Sequence, residues 1–327
     1  MPPTKTTSVV TLLLGAFFIG HFHNAGGEQP AELSVDLSPA VKISHDYPFV
    51  QSGVTYRTTN NVDVKLDVYE PRVNENPEQR SVRPTLIFIH GGGWLAAANA
   101  NEFQLFFLPF LQLNWTVVNV DYRPSSVALA PAAVEDCLCA MRWVIRNSSK
   151  YGIDTKQMVV MGNSVGGHLA LALGLIPLSN SGLGGPCTQE DAADPIVPDS
   201  VKPAAIVNWY GIADVTDLIE GKNQRRWAVL WLGNQPDKES IARSVSPLTY
   251  VRSGVPPVIT IHGDRDPEVP YSQSVRLHAA LTKAGVMNKL VTIHDGGHND
   301  FSVEATENAY VQIFKFLEEV GITVRPQ

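Results

Sequence analysis

Met158-Val159-Val160-Met161-Gly162-Asn163-Ser164-Val165-Gly166-Gly167-His168-Leu169-Ala170 sets a short apolar, β-branched run against a glycine-flanked serine and then a second apolar stretch. The run Met158–Met161 has the length and composition of a strand buried on both faces, and the stretch from Ser164 to Leu175 reads as a helix. Between them, Gly162 to Gly166 matches G-x-S-x-G at a strand-to-helix turn. Such a turn is tight enough that the neighbours of the serine must be small, hence Gly162 and Gly166. It lifts the Ser164 hydroxyl clear of the sheet and aims the helix amino terminus at it. The motif alone leaves open a chance glycine-rich turn.

The same strand signature recurs at Thr85–Ile89, Thr116–Val120, Ala204–Val207 and Val258–Ile261. Val62, Val64, Leu66 and Val68 instead alternate with polar residues, the mark of a half-buried strand near a sheet edge. Helical stretches lie at about Pro131–Ser149, Ser164–Leu175, Ser272–Ala284 and Glu304–Glu319, with Pro131 placed to open the first. Alternating strands and helices predict an α/β fold: a mostly parallel sheet, helices on both faces and a mixed amino-terminal edge. Asn74–Arg83 reads as a loop. Ser179–Asp199 and Ile212–Ser253 interrupt the alternation, and segments this long are expected to serve as lids or pocket walls. No repeat or linker divides the chain, so residues 26–327 are expected to form one domain.

The chain has 327 residues, 44% of them hydrophobic and 17% charged, enough apolar material for a sizeable core. A formal charge of −7 with no basic run argues against nucleic acid or an anionic membrane surface as partner. Lys5 followed by the apolar run Val9–Gly20 is too short to span a bilayer. It fits a secretory signal over residues 1–25, implying a secreted or periplasmic protein without stable membrane insertion. Export would permit one disulfide, from Cys187 to either Cys137 or Cys139, leaving a thiol free; three small buried hydrophobes are the alternative. Asn114 and Asn147 head glycosylation acceptor patterns.

A second glycine run, His90-Gly91-Gly92-Gly93-Trp94, directly follows the strand ending at Ile89. Acyl transfer builds negative charge on a carbonyl oxygen, and backbone N–H groups that approach without side chains stabilise it. The N–H groups of Gly92, Gly93 and Val165 are the candidates for such a hole. His90 is read as a brace for this loop, and Trp94 as a substrate-pocket wall or core residue. A serine also needs a base, and the base needs an orienting carboxylate, in the chain order Ser, acid, His. Of the downstream histidines, His168 should turn into the packing and His262 brace its loop. His278 should be exposed on a helix, and His294 ends a strand. His298 follows Gly296-Gly297 beyond the last strand and can reach over the sheet edge, which makes it the expected base. Asp266, just before Pro267, is the favoured acid and Asp264 the reserve; Asp295 and Asp300 lie too near His298 in the chain. Arg123 and Asp136 are read as a buried structural ion pair. No His, Cys or Glu cluster has zinc spacing, so no metal or organic cofactor is expected.

These segments together resemble α/β-hydrolase esterases of the bacterial feruloyl/acetylxylan-esterase and hormone-sensitive-lipase-like groups. The likeness runs from about Thr55 to Leu317. It is carried by His90–Trp94, Asp121-Tyr122-Arg123, Pro131–Asp136, Tyr151–Asp154, Gly162–Ala170, Ser246–Tyr250, His262–Pro270 and Gly296–His298. The resemblance implies a serine carboxylic-ester hydrolase with Ser164 as nucleophile, Asp266 as acid and His298 as base. It also implies a small-molecule or polysaccharide-linked ester as substrate. Departures are Asn163, where relatives often carry His, Asp or Glu, and Val165 in place of the usual Ala. With no large amino-terminal cap evident, the fit is closer to the feruloyl/acetylxylan group. An amide or peptide hydrolase of the same fold, and a catalytically silent binding protein, are the rival expectations.

Overall fold

Each of the runs read as a strand becomes one in the computed structural model, which describes residues 49–71, 81–95, 102–177, 183, 187 and 202–324. The expected signal at 1–25, most of Ser179–Asp199 and much of the loop Asn74–Arg83 lie outside the described residues. The strands are β1 (Phe49–Thr59), β2 (Val62–Glu70), β3 (Arg83–Ile89), β4 (Thr116–Val120), β5 (Ile153–Asn163), β6 (Ala205–Trp209), β7 (Val258–Gly263) and β8 (Asn288–Ile293). The α-helices are α1 (Leu108–Leu111), α2 (Ala132–Arg146), α3 (Ser148–Tyr151), α4 (Val165–Leu175), α5 (Arg226–Leu232), α6 (Lys238–Ser244), α7 (Ser272–Lys283) and α8 (Val303–Glu319).

One sheet runs in the order β1-β2-β4-β3-β5-β6-β7-β8. β1 and β2 are antiparallel, as are β2 and β4, while β4 through β8 are all parallel. The sequence therefore reads correctly as a parallel sheet with a mixed amino-terminal edge. Every residue of β3, β4, β6 and β7 is buried. Side chains alternate between the two faces of a strand, so burial of all of them requires cover on both sides. β2 instead alternates buried and more exposed positions near the edge.

Ile212–Ser253, read from sequence as irregular, contains α5, α6 and three short 3₁₀ turns. These elements are only three to seven residues long, too short for their apolar periodicity to show above the polar background. Asp136, wholly buried on α2, accepts hydrogen bonds from Arg123 Nε at 2.8 Å and Nη2 at 2.9 Å, and from Arg57 Nη1 at 2.7 Å. The pair read as structural thus also recruits an arginine of β1. Cys139 and Cys187 form the disulfide, and Cys137 is the buried free thiol. The expectation of an exposed His278 is corrected. It is 7% exposed, with Nδ1 2.8 Å from Asn288 Oδ1, because α7 turns that position toward the start of β8.

Two buried histidines give the fold a pH dependence. His90 stacks on Tyr122, ring centroids 4.4 Å apart, and hydrogen-bonds the Gly91 carbonyl through Nδ1 at 2.7 Å. His168 hydrogen-bonds the Val245 carbonyl through Nε2 at 2.7 Å. Burial pushes both down from 6.5 to about 4, against the carbonyl bonds that favour the charged ring. The unfolded chain, with ordinary histidines, binds protons that the native state refuses, so stability falls as pH drops from about 6.5 to about 4. Urea denaturation should give an unfolding free energy lower by about 4 kcal/mol at pH 5 than at pH 7. Equal values at the two pH values would contradict this.

Candidate active site

Ser164 sits between β5 and α4 with φ 56° and ψ −119°. A left-handed φ on a non-glycine residue costs on the order of 1–3 kcal/mol and persists only where the surroundings enforce it. They do. A Cβ added at Gly166 would lie 2.0 Å from the Ile89 carbonyl oxygen, and one at Gly162 2.2 Å from that of Gly166. Only hydrogen fits where the end of β3, the end of β5 and the first turn of α4 meet. The Ser164 N–H donates to the Trp209 carbonyl at 2.8 Å, and the Ser164 carbonyl accepts from the His168 N–H at 3.0 Å.

His298, in the loop between β8 and α8, brings Nε2 to 2.8 Å from Ser164 Oγ and Nδ1 to 2.7 Å from Asp266 Oδ2. Nδ1 faces a carboxylate and therefore carries the hydrogen; Nε2 is then free to accept from the serine hydroxyl. Asp266 is in the loop after β7. Its Oδ1 accepts from the Glu268 N–H at 2.7 Å and the Val269 N–H at 2.8 Å, and its Oδ2 also meets His262 Nε2 at 3.1 Å. Burial alone would raise this carboxyl. The hydrogen bonds from His262 and His298, the His298 charge and the Val269 N–H outweigh it and hold Asp266 well below the usual carboxylate range. His262 braces the loop as expected, with Nδ1 2.7 Å from Ser274 Oγ.

The reserve acid is elsewhere. Asp264 pairs with His294 Nδ1 at 3.0 Å and takes the Asp295 N–H at 2.8 Å. Asp300 accepts the Gly297 N–H at 2.9 Å, shaping the histidine loop from within.

Ser164 and His298 open onto a cavity of about 390 Å³, with Gly91, Gly92 and Gly93 on one side. Gly92 and Gly93 have φ of 111° and 66°, which turn the loop back after β3. Val165 opens α4, and the first N–H groups of a helix have no acceptor within it. The cavity is completed by Glu102, Asn163, Tyr210, Trp227, Glu268 and Asn299. Tyr210, with φ 41°, sets its ring 4.7 Å from that of His298. Burial holds its phenol well above the ordinary range, so the hydroxyl keeps its proton. The position right after a buried strand was the signal that could have found Tyr210; Trp227 lay in the segment read as irregular.

The pocket-wall expectation for Trp94 is corrected. Its side chain is wholly buried, stacked on Trp231 at 3.9 Å and edge-on to His168 at 5.1 Å. Trp227, with its ring 5.4 Å from that of Trp94, lines the cavity instead. Helix α5 supplies both tryptophans, one to cover Trp94 and one to face the opening. Among the described residues, no group of three or more His, Cys, Asp or Glu side chains is arranged to hold a metal ion, and no helix is long and apolar enough to cross a membrane.

The family model described as BD-FAE matches residues 66–281, from β2 into α7 and across the elbow, the glycine loop and Asp266. The chain belongs to the BD-FAE family. Esterase LipQ of Mycobacterium tuberculosis is 29% identical over 247 residues, covering 74% of this chain and 55% of that protein. The chain spans about half the length of the curated relatives it matches. Among solved structures, Thermogutta terrifontis esterase 2 phosphonylated by cyclosarin superposes with a TM-score of 0.66 at 25% identity, covering 85% of this chain and 97% of that one. A truncated form of a carbohydrate esterase from gut microbiota gives 0.68 at 25% identity, covering 85% and 98%. The sheet and these likenesses make the fold that of an α/β-hydrolase.

The two aspartates of this BD-FAE chain should separate cleanly. Asp266→Asn leaves the His298 imidazole free to take the wrong tautomer, and should lower kcat for an activated ester by about 10³- to 10⁴-fold. Asp264→Asn should change it less than about 3-fold, since an exposed pair contributes little. Steady-state kinetics on the two variants check this, and the reverse ranking would move the acid to Asp264.

Proposed function

We propose that this BD-FAE chain hydrolyses carboxylic esters through an acyl-enzyme on Ser164. The observation that carries the proposal is the unbroken hydrogen-bonded line from Ser164 Oγ through His298 to Asp266, 2.8 and 2.7 Å, at the floor of a cavity beside a glycine loop. A serine hydroxyl is a weak nucleophile until a base takes its proton as it attacks. His298 Nε2 takes that proton as Oγ bonds to the ester carbonyl carbon. The carbonyl electron pair moves onto oxygen, where the N–H groups of Gly92, Gly93 and Val165 stabilise it; each such donor is worth about 3–4 kcal/mol. The C–O bond then breaks, His298 returns the proton to the leaving alcohol, and the acyl group stays on Ser164. Water, deprotonated by His298, repeats the sequence and frees the acid. Asp266 keeps the proton on Nδ1 and stabilises the imidazolium between the two transfers.

The substrate is a small-molecule or polysaccharide-linked ester. Support comes from the likeness to a carbohydrate esterase and from a cavity whose lining includes Glu268, Asn163 and Asn299, polar side chains of the kind that hydrogen-bond sugar hydroxyls. Export to a secreted or periplasmic location is part of the same proposal, supported by the apolar run after Lys5 and the Cys139–Cys187 bridge.

Ser164→Ala should abolish turnover of p-nitrophenyl esters and labelling by a fluorophosphonate probe, with the thermal unfolding midpoint within a few degrees of wild type. Retained turnover would remove Ser164 from the mechanism. A wild type that takes no label would favour a binding protein, and preference for aryl amides an amidase.

A further inference from the structure

Arg225 lines no part of the cavity, yet its guanidinium reaches the loop that carries Asp266. Its Nε–H donates to the Glu268 carbonyl at 2.7 Å and its Nη2–H to the Pro267 carbonyl at 2.9 Å. Each of those carbonyls shares a peptide group with an N–H that donates to Asp266. The Pro267 carbonyl belongs with the Glu268 N–H, 2.7 Å from Oδ1, and the Glu268 carbonyl with the Val269 N–H, 2.8 Å from the same oxygen. A cation on a peptide oxygen draws electron density from the group and makes its N–H a stronger donor. Two peptide dipoles therefore run head to tail from one guanidinium to one carboxylate oxygen. Nη1 holds the Asn223 and Gln224 carbonyls, both at 3.1 Å, which anchors the cation in its own turn. All of these acceptors are main-chain carbonyls, and among the described residues no carboxylate forms an ion pair with the guanidinium.

We propose that Arg225 is a positioning residue for the acid of the triad, acting through the two peptide groups of Pro267-Glu268-Val269. By engaging Oδ1 through those peptides it leaves Oδ2 to His298 and His262. Trp227, two residues on, separately ties the same loop to the cavity wall, donating from Nε1 to Glu268 Oε2 at 3.3 Å. The proposal rests on the triad reading above. Removing the cation weakens the two N–H donors, leaves Asp266 with more charge to offer His298, and takes a positive charge away from the imidazolium. All three changes favour the protonated imidazole, so the acidic limb of activity moves to higher pH.

The test compares wild type with Arg225→Met and Arg225→Lys by pH profiles of kcat and kcat/KM on p-nitrophenyl acetate. Alongside it, proton NMR follows the downfield resonance of the His298 Nδ1–H. Arg225→Met should lower kcat about 10-fold with a smaller change in KM, move the acidic limb up by about half a pH unit, and shift the resonance. Arg225→Lys restores the charge and with it most of the limb position. It recovers only part of kcat, because an ammonium cannot span both carbonyls as a planar fork does. If Arg225→Met does not fold, Arg225→Gln, which keeps one neutral donor, carries the same expectation. A folded variant with the limb and the resonance both unmoved overturns the proposal, whatever its activity. Absence of turnover in wild type would overturn the esterase reading instead, and the NMR comparison would still decide the role of Arg225.

Discussion

The crowding around Ser164 is the constraint on which the site depends. The Ile89 carbonyl at the end of β3 leaves no room for a side chain at Gly162 or Gly166, and Ile89 is registered against Gly162 in the parallel pairing of β3 with β5. The two strands therefore end level with each other. The chain leaving β3 must emerge beside the serine, and the glycine loop is the segment that does so. The unfavourable φ at Ser164 is held by this packing and by the Trp209 carbonyl of the next strand. Close-packed interiors make such a turn stiff, so the hydroxyl is presented at one place rather than over a range.

The other half of the site depends on the carboxyl edge of the same sheet. β7 and β8 pair with Gly263 opposite Ile293, so the acid loop and the histidine loop leave the sheet side by side. Asp266 then meets four donors, two backbone N–H groups and two imidazoles. A carboxylate so surrounded stays ionised and cannot rotate without breaking several bonds at once. That rigidity passes to His298 and sets the direction from which Nε2 meets the serine. The wall of α5 and the turn before it close the arrangement from outside the sheet.

Ser164, Asp266 and His298, which the structure joins in one hydrogen-bonded line, could be singled out in the sequence because each carries a local signature. Ser164 stands at a strand-to-helix step between small residues, Asp266 just past a buried apolar run, and His298 after two glycines. Trp94 was not legible. A tryptophan after a glycine loop can face the opening or the interior, and here Trp231, 137 positions further along, stacks over it. Tyr210 and Trp227 were missed for a related reason, since an aromatic residue has the same sequence appearance in core and cavity. His278 was misplaced because its partner, Asn288, lies on the next strand. The cysteines left two pairings open: Cys137 and Cys139 project from α2 in different directions, and the position of Cys187 in the fold selects Cys139.

The sequence by itself determined the element types and the parallel sheet, and it singled out Ser164, Asp266 and His298, which the fold brings into one hydrogen-bonded line. These depend on the size, polarity and spacing of neighbours within about ten residues, which the backbone reads locally. Tertiary structure alone decided which tryptophan lines the cavity, which cysteine is bridged, and that Arg225 addresses Asp266 across two peptide groups. Such contacts join residues tens of positions apart, so strand register and helix packing set them, and no local pattern encodes either.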